Sequence, residues 1–525
     1  MSLRKQTFIQ GAMILLAAGL LNRLLGFVPR IALPRLIGAE GVGLIQLVFP
    51  FTIVLLTLIT GGLPLAVAKL VAEADSREDR ESIRRIVRIA AAIALSISFA
   101  AAVACFALAE FISTRIMTDP RVLTAFKAMI PVLPLVALSS VWRGYFQGKQ
   151  NMIPSAMSQT IETVFRIALQ LLLVWALLPY GLEAAAAGGV LGMVGGELAG
   201  LIVLGVQLAR ERAPDPADAA RRSAAHKGRK GIASALLRTA VPVTGSRMIG
   251  SLSYLLESIL TVRSLTVAGI AAAGATAQYG ALQGMVIPLL LLPGALTYSL
   301  AVSLVPSLSE ASSRGDWRTI HARLHQSMRL AVVTGSPFVA LLGLLAGPIC
   351  SLLYGDDSMA DMLRWMAPLA IFLYMQAPLQ AALQALNRPG TALFNSFAGA
   401  AVKLVLIVLL ASDPRFGIIG AVIAIMVNMT LVTLLHWLSV SRLTGFRMRP
   451  TEFLKLSLAM VVMSAIALKI WNLRLADPDF VNLILSGAGA TVAYLLLLVA
   501  FKLVDRQDIA RMPLIGRFFS PRNPS

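Results

Sequence analysis

Uncharged apolar runs such as Ile89 to Leu108 and Val481 to Phe501 recur along the whole chain. Each is about 20 residues long, the length an α-helix needs to cross the hydrocarbon core of a bilayer. Hydrophobic residues make up 57% of the 525 positions and charged residues 14%, more apolar surface than a soluble chain can bury. The bilayer must be part of the solvent. In lipid every backbone N–H and C=O has to be bonded internally, so only helices and closed barrels span it. These runs lack the alternation of a barrel strand. The chain therefore reads as an all-α polytopic membrane protein.

Turn and charge punctuation divides the sequence into fourteen spans. They lie near 7–34, 43–70, 87–110, 124–147, 155–178, 184–208, 237–264, 276–306, 326–348, 361–386, 391–411, 416–440, 453–472 and 481–503. Basic residues crowd the loops after even-numbered spans: Arg77 to Arg85, Arg210 to Arg238, Arg314 to Arg323, Arg442 to Arg449, and the tail. The opposite loops hold little beyond Arg115, Arg121, Arg415 and Arg474. Positive-inside bias then predicts a multi-pass cell-membrane protein with both termini in the cytoplasm. The first span is too long for a signal peptide, is interrupted by Arg23, and has no small-x-small cleavage site. Cys105 and Cys350 sit in or beside apolar stretches and offer no disulfide framework.

One pattern occurs twice, about 237 positions apart. Glu73-Ala74-Asp75-Ser76-Arg77-Glu78-Asp79 returns as Glu310-Ala311-Ser312-Ser313-Arg314-Gly315-Asp316. Gly43-x-x-Gln46 returns as Gly280-x-x-Gln283, and Asn151 with Gly181 as Asn387 with Gly417. Duplicated helical halves are how many transporters build a central site that opens to either side. The organisation expected is an N-terminal six-helix lobe (1–208), a basic cytoplasmic linker (209–236), a second six-helix lobe (237–441), and two extra helices with a basic tail (442–525). The two lobes would surround a central cavity.

An ionisable side chain at bilayer depth costs roughly 2.5–3.5 kcal/mol on insertion scales, so it faces water or a partner. Span 1 holds Arg23 and Arg30, about 10 Å apart along one helical face, with Gly26, Pro29 and Pro34 placed to bend it. Span 7, which opens the second copy, holds Arg247, Glu257 and Arg263. Span 5 carries Glu162 and Arg166 as an i,i+4 pair, span 11 carries Lys403, and Glu197 stands in span 6. Arg23, Arg30, Arg247, Glu257, Glu162, Arg166 and Lys403 are the expected cavity residues, and Glu257, Glu162 and Glu197 the candidates for coupling an ion. Arg35, Arg263 and Arg143, near helix ends, can snorkel to lipid heads instead. The excess of guanidinium groups favours an anionic, phosphate-bearing ligand.

Other chemistry finds little support. Gly188, Gly192, Gly196 and Gly200 form a stripe suited to helix packing. Gly144 to Lys149 is one residue short of a phosphate loop and lacks its Ser/Thr. His321 and His325 lack a third metal ligand, and Asp356-Asp357 lacks a second acidic motif. No catalytic constellation or cofactor motif is apparent. The linker's basic residues lack interleaved aromatics, which argues for anionic membrane lipid over nucleic acid.

Several longer motifs resemble the stage V sporulation protein B family. They are Arg23-x-x-Gly26-Phe27, Arg35-Leu36-Ile37-Gly38-x-Glu40-Gly41, Arg143-Gly144-Tyr145-Phe146-Gln147-Gly148-Lys149-Gln150-Asn151, Thr244-Gly245-Ser246-Arg247, and Pro378-Leu379-Gln380-Ala381. The resemblance implies a MATE-like (MOP) fold and a flippase of lipid-linked oligosaccharide. It further implies a polyprenyl-diphosphate-linked cell-wall precursor as cargo, with spore cortex peptidoglycan as a candidate destination and cell-wall synthesis enzymes as candidate partners. Lipid II-flipping relatives use cations on the first helix, matched by Arg23 and Arg30, and an acid after the second, where this chain has Ile31. In them the last two helices hold the lipid tail, a role open to spans 13 and 14. The rival readings are a cation-coupled multidrug exporter of the same fold, a non-transporting scaffold for cell-wall synthesis, and a membrane glycosyl- or acyltransferase.

Overall fold

The computed structural model describes residues 8–211, 229–448, 450–501 and 503. They are overwhelmingly helical, and no strand occurs among them. The first half contains α1 (Phe8–Leu25), α2 (Phe27–Thr60), α3 (Leu63–Asp75), α4 (Arg80–Ala107), α5 (Val122–Met129), α6 (Val132–Gly148), α7 (Ile153–Leu177) and α8 (Leu182–Glu211). Then come α9 (Arg229–Val267), α10 (Ala272–Gly280, continued by a π-helical turn Ala281–Val286), α11 (Gly294–Ser313), α12 (Trp317–Leu344) and α13 (Ala346–Tyr354). The rest is α14 (Ala360–Met366), α15 (Ala370–Ala385), α16 (Pro389–Ala411), α17 (Ile418–Thr444), α18 (Pro450–Leu473) and α19 (Asp479–Ala500).

Eleven helical stretches among the described residues are long and apolar enough to cross a membrane. The first, Met13–Asp75, covers both spans read at the N-terminus. The stretches read as spans 7 and 8 are helical but are not among the eleven, so fourteen crossings remain an expectation. Span 1 itself is not one helix. It breaks at Gly26, and α2, which follows, bends beyond the span at Gly38, whose φ of 65° and ψ of −179° suit glycine. Of the linker, 209–211 and 229–236 belong to α8 and α9, and the remainder lies outside the described residues.

The duplication is written in backbone geometry. Asp79 and Asp316 each cap the next helix, accepting the amide of Ser82 at 2.9 Å and of Thr319 at 3.0 Å. Glu78 and Gly315 before them share positive φ, and the Asp79 and Asp316 amides bond to Ala74 O and Ala311 O. Asp119 and Asp356, also 237 apart, accept the amide two residues on. At the third turn the positive φ of 57° falls on Gln150 and Asn387, so Asn151 and Asn387 are not structural equivalents. The turn pairs Gln150 with Asn387, one position away from the pairing that residue identity suggests.

Close packing explains the repeated Gly-x-x-Gln. A Cβ on Gly43 would lie 2.1 Å from Thr276 O, and one on Gly280 would lie 2.2 Å from Ala39 O. The α2 and α10 backbones therefore touch, glycine on glycine. The stripe on α8 works the same way against α7: a Cβ on Gly192 would sit 2.4 Å from Gln170 Cα, and one on Gly196 2.5 Å from Arg166 Cβ.

Two compact units result, one within Met1–Met285 and Leu404–Ala421, the other within Val286–Lys403 and Val422–Ser525. In the first, α2 packs on α9 and α10, α3 on α6, and α7 on α8. The second has a core of Leu308, Ile320, Leu324, Met328, Leu379 and Leu383. There α18 and α19 pack on α12, and the buried Tyr494 hydroxyl donates to Val333 O at 2.8 Å.

Candidate functional site

Gly26 separates the two arginines of the first span: Arg23 stands in the last turn of α1 and Arg30 in the first turn of α2. Both are exposed, as are Arg35 and, on α9, Arg247 and Arg263. The Arg30 guanidinium lies 5.7 Å from the Phe27 ring centre, a cation–π distance. Deeper along α9, Glu257 is buried and accepts a hydrogen bond from Gln283 Nε2 at 2.7 Å. Tyr254 stands a turn before it on the same helix. Within the first unit, where α2 packs on α9 and α10, a buried carboxylate and an amide are thus brought together. Tyr254 and Gln283 were not singled out as ligands from sequence, although Gln283 is the end of the repeated Gly-x-x-Gln. Lys403, buried on α16, belongs to the second unit.

A second cluster joins α6, α7 and α8. Arg143 does not snorkel: its Nη2 donates to Glu162 Oε2 at 2.7 Å and lies 3.7 Å from Glu197 Oε1. Glu162 also meets Arg166 at 3.2 Å. The buried Ser139 hydroxyl is bonded to Glu197. The rest of the motif beginning at Arg143 fixes the same corner. Gly144 and Gly148 pass over α3, where a Cβ would lie 2.7 Å from Pro64 O and from Ala68 O. The Tyr145 hydroxyl donates to Glu211 at 2.8 Å, and Lys149 pairs with Asp75 at 2.7 Å. That run is a clamp, and its glycines serve helix contact.

A third knot was invisible from sequence. Asp119, between α4 and α5, is gripped by Arg121 at 2.9 Å and accepts the Thr276 hydroxyl of α10 at 2.7 Å. Arg121 in turn pairs with Glu40 of α2. Burial would raise the Asp119 pKa, but the hydrogen bonds from Arg121 and Thr276 outweigh it and hold the carboxyl below its ordinary value. The signal that could have found it is Asp356 at the repeat distance.

The histidines are structural partners. His321 Nε2 lies 2.5 Å from Thr444 O, and His325 lies 3.0 Å from Glu452. No group of three metal-ligating side chains occurs among the described residues.

Comparison with known proteins follows the same lines. The family model described as "Polysaccharide biosynthesis protein" matches residues 8–312. Stage V sporulation protein B of Bacillus subtilis (strain 168) is 41% identical over 98% of this chain and 99% of its own length. Lipid II flippase MurJ of the same organism is 24% identical over 87% of this chain and 86% of its own. Among solved structures, a lipid II flippase MurJ in an inward closed conformation has a TM-score of 0.69 at 15% identity, covering 94% of this chain and 99% of that one. An inward-facing multidrug resistance MATE family transporter of the MOP superfamily has a TM-score of 0.67 at 14% identity, covering 81% and 94%. These two likenesses establish the fold. With a family model covering more than half its length and a relative of that identity along nearly all of it, the chain belongs to the polysaccharide biosynthesis protein family, alongside stage V sporulation protein B.

Proposed function

We propose that this protein is a flippase for a lipid-linked anionic precursor, a polyprenyl diphosphate carrying a sugar headgroup, in the cell membrane. That it is a multi-pass membrane transporter of the flippase kind, and no enzyme, follows from its relatives. The cargo rests on one observation: Arg23, Arg30 and Arg247 stand exposed on the opening helices of the two repeat copies. A guanidinium presents a planar fork that matches phosphate oxygens, and neutralising the diphosphate lowers the cost of taking it through the membrane. The relative named for sporulation and the one named for lipid II make a peptidoglycan precursor, destined for a spore cortex, the favoured cargo.

Both termini then lie in the cytoplasm, and the repeat copies, 1–208 and 237–441, rock to expose the headgroup site alternately to each side. The chain from 442 onward holds the lipid tail. Cargo need only favour one access state slightly, at about 1.4 kcal/mol for each tenfold shift in population. Glu257, held by Gln283, is the buried carboxylate of the opening helix of the second copy and a candidate for coupling an ion.

The test is flipping of a fluorescent polyprenyl-diphosphate sugar in vesicles containing the purified chain, read by loss of quencher access. Arg23→Ala/Arg30→Ala and Arg247→Ala should each slow flipping about tenfold or more. Wild-type rates in a well-folded Arg23→Ala/Arg30→Ala protein would end the headgroup role. Wild-type protein that moves a drug-like cation but not the diphosphate lipid would favour the exporter instead.

A further inference from the structure

The four ionisable groups between α6, α7 and α8 are not arranged to meet a lipid headgroup. Glu197 and Ser139 are buried, and Glu162 and Arg143 are mostly covered. Their charges balance in number but not in distance. Glu162 lies 2.7 Å from Arg143 and 3.2 Å from Arg166. Glu197 reaches Arg143 only at 3.7 Å and shares that cation with Glu162. Of the two carboxylates it has the weaker hold on a positive partner.

The hydroxyl beside it can serve either protonation state. Ser139 has one proton and two acceptors in reach, Val136 O at 3.2 Å and Glu197 Oε1. With Glu197 ionised, the hydroxyl donates to the carboxylate. With a proton on Glu197, the carboxyl donates to Ser139 Oγ and the hydroxyl turns to Val136 O. Neither state strands a buried polar atom of this pair, so a proton can enter or leave without the penalty of an unmade hydrogen bond.

The second repeat copy keeps a cation at one of these four positions and no charge at the other three. Gln380 stands at the distance of 237 from Arg143, Gly399 from Glu162 and Leu434 from Glu197, while Lys403 stands at that distance from Arg166. The same helices are built there without the quartet.

We propose that Glu197, with Ser139 as hydrogen-bond partner and Arg143, Glu162 and Arg166 as the charges facing it, is a proton-binding site of the first unit. A proton taken from water onto a Glu197 carboxylate oxygen changes the quartet from neutral to a single positive charge, and its release to water restores it. Binding cancels the attraction between Glu197 and Arg143 and leaves that guanidinium to Glu162, which loosens the tie of α6 to α8. Arg166, about one-third exposed, marks the wet end of the cluster. The link to transport rests on the flippase reading; the site itself does not.

Infrared spectra of the full chain in lipid nanodiscs, titrated with acid and without any lipid-linked substrate, test the site directly. Wild type should gain the carbonyl band of a protonated carboxyl, Glu197→Gln should lose it, and Glu197→Asp should displace it. Ser139→Ala should move its frequency, and Glu162→Gln, which frees Arg143 for Glu197, should weaken it at a given pH. A folded Glu197→Gln protein whose bands titrate like wild type overturns the proposal, as does a Glu197→Asp protein with an undisplaced band if the glutamine variant does not fold. Because no substrate is present, a Glu197 band together with absent flipping would sink the transport reading alone.

Discussion

Asp79 and Asp316 do the same work in the two copies, each accepting the amide hydrogen that the first turn of a helix leaves unpaired. The side-chain hydroxyl and then the amide of Ser82, and likewise of Thr319, hold these carboxyls below their ordinary value of 3.8. The sign follows: a carboxyl depressed in the folded state stabilises fully above that ordinary value and loses its effect as pH falls through the lower folded one. Asp79→Ala should therefore cost about 1 kcal/mol locally and speed amide exchange at Ser82 roughly fivefold at neutral pH. Protection of the Ser82 and Thr319 amides, relative to their intrinsic exchange at the same pH, should fall only in acid; equal protection in the Asp79→Ala protein would show the cap to be idle. Arg143 carries a heavier load. Replacing it with methionine leaves Glu162 and Glu197 facing each other, and should destabilise the fold by about 3 kcal/mol as read by thermal unfolding in detergent. Its role could not be read from the sequence, since position near a helix end is compatible with either an outward or an inward turn. Glu162 and Glu197 lie on two other helices, and only their packing brings them to it.

Elements were legible where hydropathy decides and illegible where a turn decides. Apolar runs located most of the helices, and the four-residue spacing of glycines on α8 correctly indicated a tight helix contact. What hydropathy could not show was where the apolar stretch Met13–Asp75 divides into α1, α2 and α3. Gly26 and Gly38 interrupt it without any change in polarity, and the break at Gly26 moves Arg23 and Arg30 onto separate helices. The α8 contact makes a direct prediction. Leucine at Gly192 has no room against the Gln170 backbone, and should cost about 1–3 kcal/mol and lower the unfolding temperature. Leucine at Gly231 or Gly250, where nothing lies within 4 Å of a Cβ, should be tolerated in the same assay.

At the scale of the molecule, membrane class, duplication and family were all present in the sequence, because each is a property of composition or of long-range pattern. Which charges meet was not, because that depends on how far each helix turns about its axis. The cargo proposal is electrostatic, so it predicts selectivity by headgroup charge: native mass spectrometry should retain polyprenyl diphosphates on the purified chain and release the neutral polyprenol. Equal retention of both would mean that the tail alone is recognised.

Gly43 touches the Thr276 carbonyl, Gly280 touches the Ala39 carbonyl, and each of these pairs is the other displaced by 237 positions. Two identical contacts exchanged in this manner lie on opposite sides of a local dyad, which must pass between the two glycines. Mutational consequences at this point should then mirror each other: alanine at position 43 and alanine at position 280 should injure the protein to the same degree, although the sequences around them have diverged.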